Sequence, residues 1–289
     1  MRYDIRLRVG YRYGQPVNSA RHLLRVRPRG DRGQTVESLS LTFSPQPFEA
    51  VREADFFGNA TDHLRLTGAH DAFTAEMRAR VRVERRAPAP APGLAAIAQE
   101  ARTVRDAEGA SPVHHLGPSR LVTPDRAITA YARGATQGHL DGADAALALA
   151  RGIREDFAYV AGSTDVSTSV ASVFSQRRGV CQDFAHVMIA ALRGLGVPAA
   201  YVSGFLRTEP PPGMARLEGA DAMHAWVDVW LGTSVGWVGF DPTNGCMAVG
   251  DHVIAAIGRD YADVAPVDGV VTTTGAQSAW HTVDIVPLD

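Results

Sequence analysis

Hydrophobic and polar positions repeat along this chain with two different periods, and the change of period divides it. In the first part the period is two. Tyr3, Ile5, Leu7 and Val9 alternate with Asp4, Arg6 and Arg8, the pattern of a half-buried strand. Similar runs occupy residues 22–28, 35–43, 63–67 and 73–84. In the last of these Ala79, Val81 and Val83 stand against Arg78, Arg80 and Arg82. Pro28, Gly30 and Asp31 stop the second run, and Asp55-Phe56-Phe57-Gly58-Asn59 reads as a turn flanked by aromatics. Short strands punctuated in this way predict an all-β, sandwich-like domain over residues 1–86.

Residues 87–122 read as a linker. Ala87-Pro88-Ala89-Pro90-Ala91-Pro92-Gly93 is stiff and extended by composition, and a weakly patterned segment follows it. From residue 123 the period becomes helical. Thr123-Pro124-Asp125 predicts an N-cap with proline at the first helical position, opening a short helix to about Arg133. A longer helix is expected from Asp141, with Ala146, Leu147, Ala150, Ile153 and Phe157 on one face. A short one follows at 167–174. From Cys181 onward Phe184, Ala185, Met188, Ile189 and Leu192 mark another helical face, closed by Gly194, Gly196 and Pro198. Strands are then predicted at 199–205, 224–230 and 236–240, the last two joined by a tight turn. Residues 123–289 therefore read as one core with a C-terminal extension, helices first and an antiparallel sheet after. The fold class is α+β.

Composition narrows the function classes. The 289 residues are 45% hydrophobic and 21% charged, ordinary for a globular protein, and a formal charge of −2 gives no general attraction to nucleic acid or anionic membrane. The arginine-rich strands of the first part are balanced by neighbouring acids, which reads as a solvated sheet face. No apolar run approaches a membrane span, and the first residues lack a signal-peptide core, so a cytoplasmic location is expected. Two cysteines allow at most one disulfide and no cysteine-only zinc site; free thiols are expected.

One of those cysteines stands where a glycine-ended loop enters a buried helix. Cys181 follows Gly179-Val180 and lies in the first turn, where unpaired N–H groups and the helix dipole favour a thiolate. Arg177 and Arg178 are placed to add to that field. A thiol nucleophile needs a histidine to share its proton and a group to orient that histidine. Of ten histidines, His186 lies five residues on, roughly 140° round the helix, and points away. His224 opens a strand, and Asp241 ends the strand paired with it, so the two come close across the hairpin. Each signal alone is ordinary, since buried cysteines are mostly structural and Asp-Pro is mostly a turn. The three in order suggest a site.

At these residues the chain resembles the bacterial transglutaminase-like proteins, often described as candidate cysteine proteases. The resemblance rests on Gly179-Val180-Cys181-Gln182-Asp183-Phe184-Ala185-His186, Met223-His224-Ala225-Trp226-Val227-Asp228-Val229 and Gly236-Trp237-Val238-Gly239-Phe240-Asp241-Pro242-Thr243-Asn244. Tyr11-Arg12-Tyr13-Gly14-Gln15-Pro16-Val17 and Phe56-Phe57-Gly58-Asn59 resemble the β domain that precedes this core, and residues 258–266 the segment that follows it. The resemblance implies a papain-like or transglutaminase-like core, with Cys181 as nucleophile, His224 as general base and acid, and Asp241 as its orienter. It implies no cofactor and no metal, and a peptide or protein substrate. Asp183 and His186 match the motif without receiving a catalytic role, and Cys246 reads as an incidental thiol.

Such a triad serves two outcomes. Water completing the reaction makes a peptidase or amidase; an amine completing it makes a transglutaminase. Hydrolysis is the expectation, because nothing in the sequence marks an amine site or a means of excluding water. The alternative of another class is a non-catalytic binding or scaffolding protein on the same fold. A metal held by Cys181, His224 and Asp241 lacks the spacing of a zinc motif. The loop at 210–219, just before His224, reads as a rim or lid from its position.

Overall fold

The structure is a computed structural model that describes residues 1–208, 221–273 and 275–288. The loop at 210–219 lies outside the described residues. The alternation of the first part produces four strands: β1 (Arg2–Leu24), β2 (Gln34–Ser44), β3 (Glu49–Ala54) and β4 (Ala60–Val83). Tyr3, Ile5 and Leu7 are buried, while the alternate residues face outward. β1 and β4 pair antiparallel from Arg2↔Arg82 to Leu24↔Asp62, with register shifts between Arg12 and Ser19. The start of the run at 22–28 and all of the run at 63–67, which the pattern separates from their neighbours, belong to these two long strands, and residues 25–28 continue past the end of β1. Gly14-Gln15-Pro16 and Gly68 (φ +89°) bend the ladder instead of ending it. β2 pairs with one half of β4 and β3 with the other. On the outer face Arg2 and Arg82 share Glu37, Arg80 pairs with Asp4, and Arg6 with Glu76.

The middle of the chain is helical. It runs through α1 (Leu94–Ala101), a 3₁₀ turn at Pro112–His115, α2 (Arg126–Thr136), α3 (Gly142–Asp156), β5 (Ala158–Tyr159), α4 (Val170–Gln176), β6 (Arg178–Gly179) and α5 (Cys181–Gly194). The stretch read as linker thus contains a helix and a turn. Asp125, not Thr123, caps α2 by accepting from Ala127 N and Ile128 N, so Pro124 precedes the cap. α5 is apolar around most of its circumference, and every residue from Phe184 to Leu192 is buried. Such a helix belongs at the centre of a domain. It packs between α2, α3 and α4 on one side and the second sheet on the other, in a cluster containing Ile128, Leu149, Val227 and Val229. Each large side chain fully buried there contributes about 1.5–3 kcal/mol.

The second sheet comprises β7 (Ala199–Leu206), β8 (Ala222–Trp230), β9 (Trp237–Asp241), β10 (Cys246–Met247) and β11 (His252–Gly258), in the order β10-β9-β8-β7-β11. After α6 (Tyr261–Val264), β12 (Val267–Val271) and β13 (Gln277–Pro287) both pair with β1. The end of the segment that sequence assigns to the core therefore completes the N-terminal sheet. No helix among the described residues is long and apolar enough to cross a membrane.

The two sheets meet at β11, the edge of the second. An edge strand leaves backbone groups that must find partners if buried. The side-chain amide of Gln34 donates to Ile254 O (2.8 Å) and accepts from Ile254 N (2.9 Å). Asn59 does the same at Ile257, with both bonds at 2.8 Å. Two amides of the N-terminal domain thus imitate a neighbouring strand.

Candidate active site

The loop before α5 is shaped to start the helix at the cysteine. Val180 is extended (φ −120°, ψ −179°), and Cys181 is the first helical residue. Val180 N donates to the carboxylate of Asp183 at 2.8 Å, and Thr164 Oγ1 donates to the same oxygen at 2.6 Å. Asp183 is therefore the acid of a capping interaction at the third helical position. Burial raises its pKa while these two bonds pull it down. Gly179 is required here: a Cβ would lie 2.7 Å from that of Asp183.

Arg177, which the sequence places to add to the field at Cys181, has a packing role in the structure. Arg177 adopts the left-handed conformation (φ 53°), and its guanidinium lies 4.1 Å, 4.7 Å and 4.9 Å from the ring centroids of Phe174, Phe157 and Tyr131. Cation–π contacts hold it inside this aromatic cage. Arg178 bonds Gln176 at the surface.

His224 and Asp241 meet as the hairpin predicts. β8 and β9 pair from Trp230↔Trp237 to Val227↔Phe240. One further step sets Asp241 level with Trp226, and its carboxylate reaches the next residue on that face. His224 Nε2 lies 2.8 Å from Asp241 Oδ2, with both side chains buried. An ionised carboxylate only accepts, so Nε2 carries the proton. Cys181 also acts electrostatically on the ring. Burial opposes a charge on His224, but the hydrogen bond to Asp241 and the interactions with Asp241 and Cys181 outweigh it and raise the ring to about 10. Burial would raise Asp241, yet its bonds to His224 and His252 hold it far below the usual carboxylate range.

Two neighbours of Asp241 escape the sequence reading. Asn244 Nδ2 donates to Oδ2 at 2.6 Å, while Thr243 N and Asn244 N donate to Oδ1 at 2.8 Å and 3.1 Å. Asp-Pro-Thr-Asn is thus a turn that locks the carboxylate from below. His252, which follows the hairpin in sequence, places Nε2 at 2.9 Å from the same Oδ2. Its ring meets Trp226 edge-on at 5.1 Å. Burial lowers the pKa of His252, with the Asp241 bond opposing.

The nitrogens of His224 and His252 and the Asp241 carboxylate lie within 4.8 Å of one another, and all are metal-ligand types. However, Oδ2 of Asp241 already receives both imidazoles and the Asn244 amide. The group is a hydrogen-bonded cluster whose central oxygen is fully engaged.

Two other buried histidines and the second cysteine take no part in this hydrogen-bonded cluster. His186 is buried against Tyr201, lowered to about 4 by desolvation, and accepts from Tyr261 N at 3.2 Å. His115 is buried beside Trp237 and lowered to about 3, also by desolvation. Cys246 pairs with Asp241 across β10 and β9. Burial first, then the charges of Asp241 and Asp251, push its thiol up to about 11.

Comparison with known proteins agrees with this architecture. A family model of the transglutaminase-like superfamily matches residues 129–242, and one of the bacterial transglutaminase-like N-terminal region matches residues 3–82. An uncharacterized protein of Mycobacterium tuberculosis is 35% identical over 300 residues, spanning 100% of this chain and 93% of its own. The crystal structure of a candidate cysteine protease from Cytophaga hutchinsonii superposes with a TM-score of 0.75 at 25% identity, covering 100% of this chain and 91% of that one. A protein-glutamine gamma-glutamyltransferase of Pseudomonas aeruginosa is 38% identical over 72 residues, 25% of this chain and 11% of its own length. The chain belongs to the transglutaminase-like superfamily, and its core is preceded by the bacterial transglutaminase-like N-terminal region.

Proposed function

We propose that the protein is a cysteine-dependent acyl-transfer enzyme that hydrolyses amide bonds of a peptide or isopeptide. The observation that carries this reading is His224 Nε2 committed to Asp241 at 2.8 Å, with the charged ring favoured by both Asp241 and Cys181. The thiol proton passes to His224, and the Cys181 sulfur attacks the amide carbonyl. The tetrahedral oxyanion is stabilised by the N–H groups at the very start of α5, those of Cys181 and Gln182, which precede the first helical bonds to Val180 O. His224 then protonates the departing amine, leaving a thioester on Cys181. Water, deprotonated by His224, attacks the thioester carbonyl; acid is released and the thiol restored.

Asp241 keeps the ring in the right tautomer and stabilises its charge. A raised pKa suits His224 to the acid half of this cycle. Activity-based labelling of Cys181, followed by a screen of peptide and isopeptide libraries, tests the proposal. Turnover lost in Cys181→Ala and His224→Ala is the supporting result; equal turnover in Cys181→Ala overturns it.

The second reading is transamidation, favoured by the local similarity to a protein-glutamine gamma-glutamyltransferase. It shares every step up to the thioester and differs in the attacking amine. Joining of a labelled amine to a glutamine peptide, without release of hydrolysed product, selects it over hydrolysis.

A further inference from the structure

The cluster around Asp241 is larger than a catalytic triad requires. Asp241 Oδ2 faces two imidazoles, His224 at 2.8 Å on β8 and His252 at 2.9 Å on β11. These strands are separated by β7, so the carboxylate is gripped from two places in the sheet. An imidazole nitrogen facing a carboxylate oxygen must donate, which fixes His252 with its proton on Nε2. His252 is 4% exposed and wedged against Trp226, so the ring has no freedom to leave this partner.

The backbone that carries His252 is itself held from the other domain. Arg85, just past the end of β4, donates to the carbonyl of His252 and, at 3.2 Å, to that of Val249. Two residues along β11, Gln34 closes both backbone bonds of Ile254, and Arg85 Nη1 reaches Gln34 Oε1 at 3.3 Å. The N-terminal domain thus grips the start of β11 at the point where its side chain enters the site. The half-buried Arg85 guanidinium spends its donors on these carbonyls and on the Gln34 amide, with one more on Arg32 O.

We infer that His252 is a positioning residue for the proposed active site, anchored by Arg85, and that the N-terminal domain thereby sets the orientation of Asp241 and His224. His252 touches no reacting atom. It fixes the carboxylate in the plane in which His224 donates to it, and Arg85 fixes the strand that delivers His252. The inference rests on the acyl-transfer reading above and assigns the N-terminal domain a part in that chemistry. The neutral state of His252, favoured by burial, suits a donor that must not compete with His224 for the negative charge.

The test uses iodoacetamide as the probe and reads the alkylation rate of Cys181 at pH 6 by peptide mass mapping of the full chain, with thermal melting as a control for folding. His252→Phe removes the donor and is expected to slow alkylation about 10–100-fold, the range of one charge-assisted bond. His252→Gln keeps an N–H near the Nε2 position and is expected to stay within about 3-fold of the native rate. Arg85→Met is expected to slow the reaction in part, and the Arg85→Met/His252→Phe double variant to react no more slowly than His252→Phe alone. A merely structural role would instead lower melting in all three single variants without this Gln rescue. Native alkylation that is fast and unchanged in His252→Phe overturns the role of His252. Additive effects in the double variant overturn the link to Arg85. If native Cys181 reacts as slowly as Cys246, the acyl-transfer reading itself fails, and the inference with it.

Discussion

The two cysteines are both half-buried and both close to Asp241 or its partners, yet their surroundings differ in kind. Cys181 opens a helix and faces an imidazole that holds its proton to about 10. Cys246 lies on a two-residue strand beside carboxylates, and burial with those charges pushes its thiol up to about 11. Partial burial alone therefore says little about reactivity. A helix start and a cationic partner favour negative sulfur, whereas burial and nearby carboxylates oppose it.

The sharpest break of this contrast is deletion of each thiol. Cys181→Ala is expected to lower turnover roughly 10³-fold or more, while Cys246→Ala stays within about 2-fold, measured on one peptide substrate. Next comes the partner. Asp241→Asn removes the charge that keeps His224 protonated and is expected to cost roughly 10²–10⁴-fold in kcat. It also moves a pH limit. His224 is raised above its ordinary 6.5, so the stability from its charged form is complete below that value and is lost as pH rises through about 10. Native activity is expected to fall on the alkaline side near pH 10, and in Asp241→Asn at a clearly lower pH, as read from the pH–rate profile. The lowered Asp241 acts oppositely. Its contribution is present above the ordinary carboxylate value and is lost only in strong acid.

Smaller effects test the helix start. Gly179→Ala forces a methyl group against the Asp183 side chain and is expected to destabilise by about 1–3 kcal/mol in urea unfolding, slowing Cys181 alkylation more than that of Cys246. Asp183→Asn weakens the bonds to Val180 N and Thr164 Oγ1 and is expected to cost about 1 kcal/mol in the same measurement.

What the sequence conveyed follows from the range over which each signal acts. The α5 face from Phe184 to Leu192 and the alternation of β1 are local periodicities, and they reappear as buried positions. The His224–Asp241 bond spans a single hairpin, so turn and strand lengths sufficed to anticipate it. His252 was out of reach because its contact with Asp241 depends on the order β9-β8-β7-β11, which no spacing encodes. Likewise, β13 pairs with β1 from the opposite end of the chain. The packing role of Arg177 was out of reach for a related reason: its cage of Tyr131, Phe157 and Phe174 is drawn from three separate segments. Asn244 lay inside a recognised motif, but its bond to Oδ2 depends on how the Asp-Pro turn closes.

The central claim is that His224 makes Cys181 the reactive sulfur of this protein. The most direct measurement is the iodoacetamide alkylation rate of both cysteines between pH 5 and pH 9 (a range of about four units chosen around the ordinary histidine value), in the native chain and in His224→Ala. The account predicts that native Cys181 outpaces Cys246 throughout and that the advantage disappears in His224→Ala. Equal rates for the two native thiols, or an advantage that survives the loss of His224, would contradict it.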